Sequence, residues 1–280
     1  MRAARVPPVV TVLQSFRTTL QVVTDTPVLV AFALAFGAMG ALNNASGLVS
    51  VVGTILLLFG SPALIGAFYT AIDGARPGTD TDLRASTAAQ RYYVSLLGAS
   101  VLSGLVIMVV AMVVGGGVVG YIGFDRLNAV LNGSASLTLV ELAGGGAALA
   151  VLMAVVYVFT FFDTAVVFDG KTAGGSLSRS VDFVFGNFRQ VVGYAVVATV
   201  ATSVVDLPVL WFVTLDGATT VAGAVTAFQA PMSAVDIAVV AVASTVTTLV
   251  GRTYKVCFYR ACTDDAPGAD PVTTDGEWAA

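Results

Sequence analysis

An all-α polytopic membrane helix bundle of six transmembrane helices is predicted for this chain by three observations. Hydrophobic residues make up 57% of its 280 positions and charged ones 11%, with a mean hydropathy of +0.90. Soluble domains carry roughly 25% charged residues. The apolar residues gather into runs, most of them long enough for the ~20-residue helix that crosses a bilayer. The basic residues fall in alternate connections between those runs, as the positive-inside rule requires of a multi-pass protein.

Residues 1–26 read as a cytoplasmic segment. Arg2, Arg5 and Pro7-Pro8 are followed by neither an apolar h-region nor a small-residue cleavage site, so no removable signal peptide is expected. From Val9 the positions Val9, Val12, Leu13, Phe16, Leu20 and Val23 form one apolar helical face, with Gln14, Arg17 and Gln21 opposite. Such a stripe suits a helix lying in the membrane interface. Asp25-Thr26-Pro27 then supplies a cap and a first-turn proline, so a new helix is expected to start there.

Six apolar runs follow, at 27–42, 48–72, 94–122, 142–168, 191–215 and 234–256. Pro62 should kink the second near its middle, because it removes a backbone donor. Asp206 and Pro208 interrupt the fifth. Glycine triplets at 115–117 and 144–146, with Gly37, Gly40, Gly98, Gly104 and Gly251, read as places where helices pack closely. Residues 27–260 thus form the six-helix domain, and 261–280 a disordered acidic cytoplasmic tail.

With the N-terminus inside, Arg2, Arg5, Arg17, Arg76, Arg84, Arg91, Lys171, Arg179, Arg189, Arg252, Lys255 and Arg260 all lie inside, and Arg126 alone lies outside. The expected location is the cell membrane, with both termini cytoplasmic. The sequons Asn44-Ala45-Ser46 and Asn132-Gly133-Ser134 both fall outside, making Asn132 and Asn44 candidate N-glycosylation sites. Arg17, Arg91 and Arg189 each sit on a polar lead-in to an outward-running span. The reading is three hairpins, each with an interfacial amphipathic foot on the cytoplasmic side.

Histidine is absent, which excludes Ser-His-Asp and Cys-His nucleophiles, His-ligated haem and imidazole zinc sites. Cys257 and Cys262 match neither a metal knuckle nor a redox pair and read as free thiols. No P-loop or dinucleotide motif occurs, so no cofactor or metal is expected. The scattered bases offer no nucleic-acid surface. The net charge of −4 comes from the tail acids Asp264, Asp265, Asp270, Asp275 and Glu277; without them the chain is +1. The excess of Asp over Glu and the scarcity of lysine are similar to the composition of proteins from salt-loving archaea.

Asp163 and Asp206 are the acids inside apolar runs, where a carboxylate is costly and by default marks a function such as an ion or proton path. Capping, snorkelling and interhelical hydrogen bonding are the structural alternatives. Between the fourth and fifth runs, Leu177, Val181, Val184, Phe185 and Phe188 fall on one helical face, with Ser178, Arg179, Asp182 and Asn187 on another. Leu177, Arg179, Val181, Asp182, Phe185 and Phe188 form a candidate partner-docking foot; sealing one hairpin against the next is the alternative.

The order Phe161-Phe162-Asp163, Val166-Val167, Asp169-Gly170, then Leu177, Ser180-Val181-Asp182-Phe183 and Gly186-Asn187-Phe188, resembles archaeal six-helix integral membrane domains of unknown function. These are distantly similar to the membrane domain of bacterial glycerophosphodiester phosphodiesterases. The resemblance covers about residues 9–260 and implies a fold without an assigned reaction. The chain lacks a loop that could house the barrel-shaped catalytic domain of those enzymes, and it lacks their acid-base histidine. The expected function is a non-enzymatic scaffold or accessory subunit of a membrane assembly, whose partners are the bilayer and a membrane or cytoplasmic protein. A small transporter or channel using the two aspartates is the second expectation.

Overall fold

Two helices meeting at a bend of 96° begin the chain: α1 (Pro8–Asp25) and α2 (Val28–Asn44). The computed structural model describes residues 8–76, 85–132, 134–209 and 233–264. Asp25 to Pro27 breaks the helix where the sequence anticipates it, because a proline lacks the donor that continuation needs. The turned-in face of α1 is richer in hydroxyls than the sequence stripe suggests. Thr11, Val12, Ser15, Thr19 and Val22 are buried, whereas Leu13 and Leu20 stay outside. Ser15 and Thr19 donate to the carbonyls of Thr11 and Ser15 at 2.7 and 2.8 Å, so these small residues satisfy themselves and let α1 approach its neighbours closely.

Gly47, at φ +65°, turns the chain into α3 (Leu48–Ile55), a π-helical turn (Leu56–Gly60) and α4 (Ser61–Gly74). The π turn lies directly before Ser61-Pro62. A wider turn relieves the ring of Pro62 and its missing donor, so the expected proline perturbation takes the form of a π-bulge within one helical run. α5 (Ala85–Ile122) is a single continuous helix. The polar lead-in around Arg91 is therefore its own first turns and not a separate interfacial foot, since no Pro or Gly interrupts Ala85 to Val94. Gly123, at φ +86°, leads into α6 (Phe124–Leu131).

A capping box opens α7 (Leu139–Val158): Glu141 N donates to the Thr138 hydroxyl, and Thr138 N donates to the Glu141 carboxylate. Arg126 on α6 pairs with the same Glu141 and tethers the two helices. Then come α8 (Phe162–Phe168), α9 (Ala173–Gly186), α10 (Phe188–Val209) and α11 (Ala234–Asp264). α10 runs through Asp206 and Pro208 without interruption. The remainder of the expected fifth run, the Thr-, Gly- and Ala-rich segment after it up to residue 232 and the tail beyond Asp264 lie outside the described residues, as do residues 1–7.

α11 is the central element, in contact with α1, α2, α4 and α10. One buried cluster joins Leu29, Phe36, Ile65, Phe68, Tyr69, Ile72, Leu96, Val166 and Val256; a second joins Phe161, Phe183, Tyr194, Tyr254, Phe258 and Tyr259. Both lie near the C-terminal ends of α4, α8 and α11 and the N-terminal ends of α5 and α10. The opposite half is open: Met108, Val109, Met112 and Val113 of α5 and Leu142 and Leu149 of α7 are exposed. On α10, Phe188, Val192, Val196, Val200 and Val204 recur every four residues as an exposed apolar stripe.

Glycine packing is selective. A Cβ on Gly37 would meet the Thr245 hydroxyl and lie 2.7 Å from the Ala241 carbonyl oxygen, so α2 crosses α11 at van der Waals contact. Gly98 would meet Ala173 Cβ at 3.1 Å. Gly104, Gly251 and the triplet 115–117 meet no atom within 4 Å, and in the second triplet only Gly144 does, against Tyr121. Those open positions are not packing sites among the described residues. Gly37→Leu should destabilise the fold by roughly 1–3 kcal/mol through overpacking, whereas Gly116→Ala should be neutral or slightly stabilising. Unfolding of both variants in mixed micelles checks this.

Candidate functional site

A break in a helix creates the most polar interior site. Between α7 and α8, Phe159 to Phe161 leaves the helical ladder, freeing backbone groups that must find other partners. The Ser180 hydroxyl, on α9, repairs both sides of the break: it donates to the Val158 carbonyl at 2.7 Å and accepts from Phe161 N at 3.2 Å. Lys255, on α11, donates to the Thr160 carbonyl at 3.4 Å, and Thr164 returns a bond to the Phe161 carbonyl at 2.7 Å. The freed ring of Phe161 enters the aromatic cluster, 4.8 Å from Phe183 and 5.3 Å from Tyr194 between centroids.

Asp163 follows in the first turn of α8 and is 4% exposed. Its Oδ2 accepts from Lys255 Nζ at 2.5 Å and from the Tyr69 hydroxyl at 2.7 Å, while Oδ1 accepts from Thr164 N at 2.8 Å. Arg252 Nη1 lies 4.0 Å from the same carboxylate, with its guanidinium 4.4 Å from the centroid of Phe36. Lys255 Nζ is also 5.4 Å from the centroid of Tyr69. A buried carboxylate is tolerated when its lone pairs are used by charged and neutral donors together, as they are here.

Two further acids repeat the arrangement at the same end of the bundle. Asp73, at the end of α4, accepts from Arg260 Nε at 2.9 Å and through its second oxygen from Nη2, and Arg76 Nη1 approaches it at 3.2 Å. Asp169, at the end of α8, accepts from Arg179 Nε and from the Tyr259 hydroxyl, each at 2.7 Å. Burial pulls the pKa of Arg179 down, but the hydrogen bond to Asp169 and the neighbouring charges of Tyr259 and Asp169 outweigh it, and the net shift is upward. Arg252, Lys255, Tyr259 and Arg260 occupy i, i+3, i+7 and i+8 of α11, so one helical stripe holds α4 and α8.

Asp206 is placed elsewhere. It is exposed on α10, accepts from the Thr247 hydroxyl at 2.9 Å, and lines an open groove of about 310 Å³ with Ser203, Leu207, Val209, Val240, Ala243 and Ser244. Thr247 and Lys255 are two turns apart on α11, about 12 Å of rise, so Asp163 and Asp206 do not share a site. No group of three or more Cys, Asp or Glu with metal-binding geometry occurs among the described residues.

The foot is rotated relative to the expected face. Ser176, Leu177, Ser180, Phe183 and Val184 are buried: the Ser180 hydroxyl patches the helix break, the Ser176 hydroxyl donates to the Ala173 carbonyl of its own helix, and Phe183 completes the aromatic cluster. Arg179 is held by Asp169, and Val181 is half-buried. Asp182, Phe185 and Phe188 remain exposed, so the six foot residues split between an inward and an outward side. Asn44 and Asn132 are both exposed, and their side-chain amides bond locally to the Gly40 carbonyl and to Asn128. Cys257 is buried and Cys262 half-buried, and neither forms a disulfide.

Sequence reasoning missed Tyr69, Asp73, Ser180 and the ion-pairing role of Lys255. The usable signal was the i, i+3, i+7, i+8 spacing of polar residues at the end of an apolar helix, which counting charges as topology markers overlooks.

Among the described residues the molecule is all-α, with five helices long and apolar enough to cross a membrane, or six if the bent α1–α2 pair is one span. It belongs to the family described as a domain of unknown function, DUF7847, which matches residues 10–262. No curated protein and no solved structure matches the chain.

Removing one member of a buried ion pair strands the other. Lys255→Met should therefore cost about 3–5 kcal/mol, and adding Asp163→Leu should recover much of it despite the second substitution. Thermal unfolding in micelles across the double-mutant cycle measures the coupling.

Proposed function

We propose that this protein is a non-enzymatic membrane component, a scaffold or accessory subunit that acts through its cytoplasmic face. The observation that carries the reading is the division of labour within α9: its inner face is consumed by structural bonding, while Asp182 and Phe185 stand exposed on the other side. An exposed aromatic side chain next to a charge has the composition of a docking surface. Asp73, Asp163 and Asp169 are each held by a cation from another helix, which favours architecture over chemistry for those acids.

In this reading the chain crosses the membrane six times, as three hairpins, with both termini inside. The bend between α1 and α2, which turns α1 across the axis of α2, supports an interfacial α1. The collection of Arg76, Arg179, Arg252, Lys255 and Arg260 around one end of the bundle, with Arg126 at the far end of α5, supports the orientation. The distant likeness to the membrane domain of bacterial phosphodiesterases and the halophile-type composition belong to the same proposal. A transport role would need Asp163 and Asp206 to lie along one path, and their separate bonding partners on α11 favour the scaffold reading.

A photo-crosslinking residue at Phe185 in native membranes should yield protein adducts, and the same residue at Val200, on the apolar stripe, should yield lipid adducts. Lipid adducts alone at Phe185 would overturn the docking role. Orientation has its own readout. With Cys257 and Cys262 changed to Ala, a cysteine at Ser134 should react with an impermeant thiol reagent from outside, and one at Ser178 only after permeabilisation.

A further inference from the structure

Asp206 differs from the three acids at the other end of the bundle in its neighbours. Its partner among the described residues is the Thr247 hydroxyl, and no ion pair reaches it there. The bond to Thr247 sets its depth about 20 Å of rise from the first residue of α11 and about 12 Å from the level of Lys255. The groove beside it is floored by small residues, Ser203, Ala243 and Ser244, and the hydroxyls of Ser203 and Ser244 make no hydrogen bond among the described residues.

We propose that this groove docks a transmembrane helix of a partner protein through a lysine or arginine carried at membrane depth, a proposal that rests on the accessory-subunit reading. Charge complementarity points to a basic group, because a carboxylate inside a span is normally matched by one. The chain cannot supply it locally: no lysine or arginine occurs between Arg189 and Arg252. A second copy cannot supply it either, since its apolar runs carry no base before their inner ends and Arg252 and Lys255 are engaged at Asp163. At about 310 Å³ the open groove has room for one long side chain. Small residues on its floor let a helix backbone approach, and the two free hydroxyls offer acceptors for the remaining protons of an ammonium or guanidinium.

The test uses the full-length protein in nanodiscs and a fluorescent Leu/Ala helix of transmembrane length bearing one central lysine, compared with the same helix bearing leucine. The lysine helix should bind wild type about tenfold more tightly than the leucine helix. Asp206→Asn should erase that preference while the thermal midpoint is retained, and Asp206→Lys should transfer it to a helix bearing glutamate. Equal binding of the two helices to wild type overturns the proposal, as does a lysine preference that survives Asp206→Asn. Saturable sodium binding dependent on Asp206, or an Asp206-dependent dimer, with no preference for the lysine helix would assign the groove to a cation or to a second copy and also overturn it. Loss of the Phe185 protein adducts would sink the accessory-subunit reading without altering this binding measurement.

Discussion

The pairing of Asp163 with Lys255 at the break between α7 and α8 is the constraint on which the rest of the bundle depends. A helix interrupted inside an apolar environment exposes backbone groups that water would otherwise satisfy. Ser180, Lys255 and Thr164 supply those partners from α9, α11 and α8, so the break is stable only where three elements converge. Lys255 serves the carboxylate and the freed Thr160 carbonyl together, which ties a local backbone defect to the placement of the central helix. The break also swings Phe161 into the aromatic cluster, and that cluster seats α10 through Tyr194 and α11 through Tyr254 and Phe258.

From that constraint follows the unequal build of the two halves. One end contains the ion pairs of Asp73, Asp163 and Asp169 and both buried clusters; the other carries exposed apolar helix faces and the Arg126–Glu141 pair. The stripe from Phe188 to Val204 on α10 and the outer turns of α5 and α7 would be a liability in water. In a bilayer they are the surface that lipid covers. The same contrast explains the behaviour of the glycines. Those facing α11 or α9 are filled closely by a neighbour, and those on the outer turns of α5 have none among the described residues.

The helix order and most boundaries were legible because apolar run length and the Pro and Gly breaks are one-dimensional signals. Asp25 to Pro27 and Gly47 show this directly. The lead-in at Arg91 was misread because polarity on a surface helix and polarity on the first turns of a long helix look alike in sequence. The candidate site was only half legible. Asp163 stood out as an acid in an apolar run, yet its partners Tyr69 and Lys255 are 94 and 92 residues away, a separation that no local pattern encodes. α9 was recognised as amphipathic, but its apolar face of Leu177, Val181, Val184, Phe185 and Phe188 is divided between buried and exposed positions. The break selects Ser180 for bonding, and with that side turned inward Phe185 faces outward.

Lipid is as apolar as leucine, so burial of apolar side chains gives little preference for one helix register over another. Register must come from contacts with direction, and α11 carries them at helical spacing: Arg252 and Lys255 to Asp163, Tyr259 to Asp169, Arg260 to Asp73. Sliding α11 by one turn, about 5.4 Å, would break all three attachments together and bring the Gly37 crossing against different side chains. The cost of burying charge is thereby converted into a single permitted alignment of α4, α8 and α11. Asp206 lies outside that alignment of α4, α8 and α11, bonded to the Thr247 hydroxyl without an ion pair among the described residues, and its presence within an apolar run requires a different explanation from that of Asp163.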